Sequence, residues 1–165
     1  MHRRILFLGL TPILGTYALF RVAGLRINTS AWLPVGLYIA SSRGAYVELC
    51  PGDDGLSAQR GYRHNGVCPD GAAPLLKPVV GKAGDEILVS SAGIAVNGKL
   101  LPNSAPLDRD SAGRPLTHWP FGRYTAVPGT LWVTSSYNPR SYDSRYLGPI
   151  PETAVRGRLR PLIAW

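Results

Sequence analysis

Residues 75–101 read Leu-Leu-Lys-Pro-Val-Val-Gly-Lys-Ala-Gly-Asp-Glu-Ile-Leu-Val-Ser-Ser-Ala-Gly-Ile-Ala-Val-Asn-Gly-Lys-Leu-Leu, and their pattern decides the fold class. Leu75 to Val80 is apolar and β-branched apart from Lys77 and Pro78, and the turn pair Gly84-Asp85 leads into a second extended run, Glu86 to Ser90. Ile94-Ala95-Val96 then meets Asn97-Gly98, the strongest short hairpin signal, and Lys99-Leu100-Leu101 leaves it. The spacing predicts a β-meander. Upstream, Ile27 to Ser30 and Gly36 to Ser41 flank Pro34 as two short extended segments. Ala45 to Leu49 is a strand candidate that loosens into Pro51-Gly52-Asp53-Asp54-Gly55. Downstream, 102–123 is proline-rich and polar, a long surface excursion, before Gly129 to Thr134 resumes as a strand. Val155 to Leu162 is a final short strand, with arginines at 156, 158 and 160 on one face.

The 165 residues suit one domain, and the 19 glycines and 15 prolines spread through them work against long helices. Hydrophobic residues at 45% with only 17% charged exclude a disordered chain. The expected architecture is therefore mainly β, one antiparallel domain over 26–165. A net charge of +8 suits a nucleic-acid binder, a protein facing anionic lipid, or a partner of acidic proteins.

The first 25 residues are of another kind. Arg3 and Arg4 precede an uncharged stretch, Ile5 to Phe20, whose sixteen residues would span about 24 Å as a helix, short of the roughly 30 Å hydrocarbon core. Snorkelling of Arg21 would let Val22 to Leu25 extend the span. The segment 1–25 is thus expected to be an N-terminal membrane anchor or signal segment. The paired arginines put the amino terminus in the cytoplasm and the β domain on the other side, in the periplasm of a bacterial inner membrane. No good small-x-small cleavage site follows, which favours an uncleaved transmembrane helix. In that compartment Cys50 and Cys68 are expected to be oxidised, closing a loop of 17 residues and stabilising the fold by roughly 3 kcal/mol. A zinc site would need more ligands than His64 and this pair, with His2 and His118 far off in sequence.

Three clusters could carry chemistry. The first is Asn28-Thr29-Ser30-Ala31-Trp32-Leu33-Pro34-Val35-Gly36-Leu37-Tyr38, otherwise a polar turn leaving the membrane. The second centres on Lys77. A lysine within an apolar strand is either turned outward to water or buried, and a buried ammonium costs several kcal/mol unless it is paired or gives up its proton. A neutral lysine is a base. Lys82, beside glycines in a turn, reads as solvated. The third is Ser141-Tyr142-Asp143-Ser144-Arg145-Tyr146-Leu147-Gly148-Pro149, where Asp143 and Arg145 could form a structural ion pair.

Together the clusters resemble the signal peptidase I family of serine/lysine peptidases, and within it the TraF-type conjugative transfer peptidases. The matching residues are Asn28, Ser30, Pro34, Gly36, Leu37 and Tyr38, then Leu76, Lys77, Val79, Gly84 and Asp85, then Ser141, Asp143, Ser144, Arg145, Tyr146 and Gly148. The resemblance implies a membrane-anchored serine endopeptidase with a signal-peptidase-type β domain. Its partners would be a propilin-like substrate and the conjugative type IV secretion apparatus, and it would mature the exported pilin by cleavage after a small residue, with cyclisation as a further step. No metal, organic cofactor or nucleic acid is implied. By the same resemblance Lys77 is the general base, Ser141 orients its amine, Asp143 and Arg145 hold the site together, and the Ser30 hydroxyl helps to bind the oxyanion.

Position 32 departs from the pattern. The family places its nucleophilic serine two residues after Ser30 and two before Pro34, and this chain has Trp32 there. Ser30 faces the same side of an extended chain but lies roughly 6.6 Å away, so a lysine placed for position 32 would miss it. Two readings are open: Ser30 substitutes as nucleophile, or the chain is an inactive homologue acting as a binding or scaffold protein. A third, a basic nucleic-acid-binding module suggested by the charge and four tryptophans, conflicts with the export signal.

Overall fold

Ile87 and Val89 are almost fully buried, and their neighbours in Glu86–Ser90 are exposed or half-buried, the alternation of a strand with one face on a core. The same logic recurs along the chain. The computed structural model describes residues 24–30 and 32–165. Its strands are β1 (Leu25–Asn28), β2 (Gly36–Ala40), β3 (Tyr46–Leu49), β4 (Leu75–Gly81), β5 (Glu86–Ser90), β6 (Gly93–Val96), β7 (Lys99–Leu100), β8 (Gly122–Thr125), β9 (Thr130–Val133), β10 (Ile150–Pro151) and β11 (Val155–Ala164). Two four-residue helices, α1 (Leu56–Gln59) and α2 (Ser144–Leu147), interrupt them.

The strands form a seven-stranded sheet in the order β1-β2-β11-β3-β4-β9-β10 and a four-stranded sheet in the order β7-β6-β5-β8. Every strand pairing is antiparallel. The expected mainly antiparallel β class is what the chain adopts. β9 serves both cores: Leu131 and Val133 pack with Val47, Leu49 and Leu75, whereas Trp132 faces Ile87, Val89 and Ile94. Asn97 and Gly98 both take positive φ, 50° and 79°, which gives the primed turn that joins β6 to β7.

Several expectations change. The meander holds only from β5 to β7; β4 belongs to the other sheet, and β5 pairs instead with β6 and β8. The excursion after residue 101 ends early, because Tyr124 in β8 packs its ring 5.6 Å from that of Trp132. The last strand is the longest of all and lies inside the large sheet between β2 and β3. Its register shifts between Val155 and Gly157 and again between Pro161 and Ile163, so its arginines do not form one regular row. Gly36 permits this insertion, since a Cβ there would sit 2.2 Å from the Ile163 carbonyl oxygen. Pro78 is tolerated inside β4 because Val79 N–H donates to Ala45 O. Alternation therefore turns the proline nitrogen towards β9, whose ladder with β4 starts at Val79.

The segment after Pro51 is also less loose than its composition suggests. Cys50 and Cys68 are disulfide-bonded with Cα atoms 5.6 Å apart. Arg63, buried beneath this segment, donates to Ser57 Oγ at 2.8 Å, to Ala73 O at 3.1 Å and to the Asp70 carboxylate. The candidate anchor over 1–25 lies outside the described residues except for Gly24 in a turn and Leu25 in β1. Among the described residues no helix is long and apolar enough to cross a membrane. The Cys50→Ala/Cys68→Ala variant should lose about 3 kcal/mol of stability in urea unfolding. An unchanged midpoint would show that Arg63 and its partners hold the segment without the cross-link.

Candidate active site

Alternation along β4 puts Leu75 and Lys77 on the same buried face, 8% and 1% exposed, so the lysine points inward with the apolar residues. The outward-facing alternative for Lys77 is thereby excluded, whereas Lys82 is exposed in its turn. Val47 lies opposite Lys77 on β3 and is itself fully buried. At the end of this aliphatic stem Nζ lies 2.6 Å from Ser141 Oγ, its hydrogen-bond partner among the described residues. Burial above all pushes the amine down from its usual 10.5 to about 8; the Asp143 carboxylate opposes that shift and the Arg145 guanidinium adds to it.

Ser141 N–H donates to Asn138 O at 3.1 Å, and the loop that carries both is clamped by the residues just beyond it in the chain. Asp143 caps α2, its Oδ1 accepting from Arg145 N–H at 3.2 Å and from Arg145 Nε at 2.9 Å. Its Oδ2 accepts from Arg145 Nη2 at 2.8 Å and from Ser135 N–H at 3.0 Å. The pair is wholly buried, and Arg145 goes on to donate to the carbonyl oxygens of Asn103, Ser135 and Pro139 at 2.8 to 3.2 Å. One ion pair thus joins the loop after β7, the loop after β9 and the start of α2. Ser144 Oγ adds a bond from Val133 N–H at 2.9 Å, pinning α2 to β9.

The loop from Ser30 to Pro34 has its own organiser. Asn28 is buried at the end of β1, and the two hydrogens of its Nδ2 are shared among the carbonyl oxygens of Ser30, Leu33 and Pro34 at 3.0 to 3.1 Å. Its Oδ1 accepts from Ser30 N–H at 3.2 Å and from Ser30 Oγ at 2.7 Å. Tyr38 Oη also donates to Pro34 O at 2.8 Å. So tied, the loop presents Trp32 to the lysine: Nζ lies 5.2 Å from the ring centroid, within cation–π reach. The Ser135 hydroxyl donates to the Trp32 carbonyl and connects this loop to the Asp143 network.

The three sequence clusters therefore converge. Lys77, Ser141 and Trp32 meet directly, and Asp143 and Arg145 lie immediately behind Ser141. Ser30 stays apart, its hydroxyl engaged with Asn28 rather than with Lys77. Motif matching gives Asn28 no structural role and passes over Ser135 altogether. The polar run Thr134-Ser135-Ser136 directly after an apolar strand is the one signal for the latter. Chemically, a buried amine of lowered pKa with one hydroxyl neighbour can take a proton from a second hydroxyl at position 32, and tryptophan offers none there. Among the described residues no group of three or more His, Cys, Asp or Glu side chains is placed to hold a metal.

Comparison with known proteins bears on this arrangement. Residues 20–165 match the family described as signal peptidase, peptidase S26. The plasmid transfer protein TraF of Escherichia coli is 39% identical over 150 residues, covering 87% of this chain and 84% of its own. The conjugal transfer protein TraF of Agrobacterium fabrum is 31% identical over 170 residues, covering 96% and 94%. A crystal structure of a signal peptidase I from Enterococcus faecalis is similar over 73% of this chain and 97% of its own, at 20% identity and a TM-score of 0.37.

Removing one side of the buried ion pair leaves the other charge unpaired in the interior. Asp143→Ala should therefore cost about 3–5 kcal/mol of unfolding free energy in denaturant titration. A loss below about 1 kcal/mol would mean that water reaches Arg145 and that the clamp is not what holds the site.

Proposed function

The chain belongs to the signal peptidase, peptidase S26 family, and on that premise we propose that it is a serine-type endopeptidase scaffold of conjugative transfer, with Lys77 as general base and position 32 as the nucleophile's place. The observation that carries this reading is the 2.6 Å contact of a buried Lys77 amine with Ser141, facing residue 32. The names of the TraF relatives support conjugative transfer as the setting. The substrate we infer is an exported propilin-like chain, and the segment 1–25 would anchor the β domain 26–165 to the inner membrane from the periplasmic side.

With serine at position 32 the neutral Lys77 amine takes the hydroxyl proton as Oγ bonds to the substrate carbonyl carbon. The backbone N–H of residue 32 and the Ser30 hydroxyl, rotated from Asn28, would donate to the resulting oxyanion. As the C–N bond breaks, the leaving amine takes the proton back from the Lys77 ammonium. Water then attacks the acyl-enzyme with Lys77 again as base, or an amine of the substrate attacks and closes a ring. Ser141 keeps the amine aimed throughout, and Asp143 and Arg145 keep Ser141 in place.

Trp32 interrupts the sequence at its first step. Its indole lacks a nucleophile and stands over the amine where a scissile carbonyl would have to lie. The chain as it stands is therefore a substrate-binding form of the peptidase. Substitution by Ser30 is disfavoured by the bond between its hydroxyl and Asn28 Oδ1.

Purified chain should leave a propilin-like substrate intact, whereas Trp32→Ser should cleave it and the added Lys77→Ala should abolish cleavage. In the Trp32→Ser enzyme kcat/KM should climb about tenfold between pH 7 and pH 9, since deprotonation of an amine titrating near 8 supplies the base. Cleavage that persists in Lys77→Ala, or a parent activity lost in Ser30→Ala, would show that the pair has been assigned to the wrong residues.

A further inference from the structure

Lys77 and Trp32 line a cleft of about 300 Å³ whose walls combine leucine and tyrosine side chains with a set of arginines. Arg60, Arg109, Arg114 and Arg140 line it, and among the described residues Asp110 is the one carboxylate in its lining. That carboxylate is already engaged. It accepts from Tyr62 Oη and Arg114 Nε, both at 2.6 Å, and from the N–H groups of Ala112 and Arg114, both at 2.9 Å. It therefore offsets Arg114 and leaves the other three arginines without an acidic partner among the described residues.

Those three are nevertheless held in position. Arg60 Nη1 donates to Pro115 O at 2.8 Å, Arg109 Nη1 to Gly113 O at 2.8 Å, and Arg140 Nε to Ser111 Oγ at 2.9 Å. A guanidinium carries five N–H groups, so each tether fixes the side chain and leaves further donors for a ligand. Arg109 and Arg140 are exposed and Arg60 is half-buried, so the charge faces solvent at the mouth of the cleft. Such donors match carboxylates in geometry as well as charge, because the planar fork can bind both carboxylate oxygens.

We propose that this cleft selects polypeptide substrates that carry an acidic segment beside the bond presented to Lys77. The proposal rests on reading the cleft as the substrate groove, and it assigns Arg109, Arg140 and Arg60 as specificity residues. They act by binding, at a distance from the proton transfers at Lys77. The net charge of the whole chain would draw in any acidic peptide weakly, so what identifies the cleft is dependence on these particular arginines.

The test is binding of fluorescently labelled ten-residue alanine-rich peptides carrying two Glu, two Gln or two Lys, followed by anisotropy on the chain with Trp32 in place. The Glu peptide should bind about tenfold more tightly than the Gln peptide, and the Lys peptide most weakly. Arg109→Gln/Arg140→Gln should reduce the Glu preference to within about twofold. Arg156→Gln/Arg160→Gln, which removes the same charge outside the cleft, should keep it. Arg109→Glu/Arg140→Glu should turn the preference towards Lys. Equal binding of the Glu and Gln peptides, no binding of any peptide, or equal losses in the cleft and control variants would overturn the proposal. A parallel cleavage assay of Trp32→Ser separates the two readings. Glu preference with no cleavage would leave the cleft assignment standing and remove the peptidase reading, and cleavage without Glu preference would do the reverse.

Discussion

The buried pair of Asp143 and Arg145 is the constraint on which the site depends. Two opposite charges wholly withdrawn from water are tolerable only where every remaining donor and acceptor is satisfied. Here the satisfaction comes from main-chain groups of two separate loops, the one after β7 and the one after β9. Those loops cannot move independently without exposing a charge. Ser141 stands two residues before Asp143, and Ser135 bonds both Asp143 and the Trp32 carbonyl, so the positions of all three parts of the site depend on this pair.

Against that rigid background Lys77 is under opposing influences. The low-polarity face of β4 and the Arg145 charge favour the neutral amine, while the Asp143 carboxylate favours the ammonium. The buried amine and its serine partner face position 32, and the binding role proposed for the present chain and the cleaving role proposed for its serine variant rest on that one arrangement.

Much of this is legible in the sequence, for identifiable reasons. The hairpin at Asn97-Gly98 announces itself because only a primed turn suits those two residues, and Lys77 stands out because a charge interrupts an apolar run. Strands that signal weakly escape such reading. β10 is two residues long, too short for any period, and β8 is an edge strand held by the aromatic packing of Tyr124. The rank of β11 as an inner strand cannot be read from its arginines, because register and neighbours are set by long-range pairing. Nor can the buried roles of Asn28 and Arg63: each depends on main-chain groups that come within reach only after folding.

The chemistry of this site turns on the state of one amine, and a titration of that amine is its most direct test. Selective isotopic labelling of the lysine ε-methylene would let the Lys77 signal be followed by NMR from pH 6 to 12, with Lys77→Arg identifying the resonance. A midpoint near 8, against the usual 10.5, is the expected result. A midpoint at the value of an ordinary exposed lysine would mean that water reaches Nζ, and Lys77 could not then be the base around which this site is built.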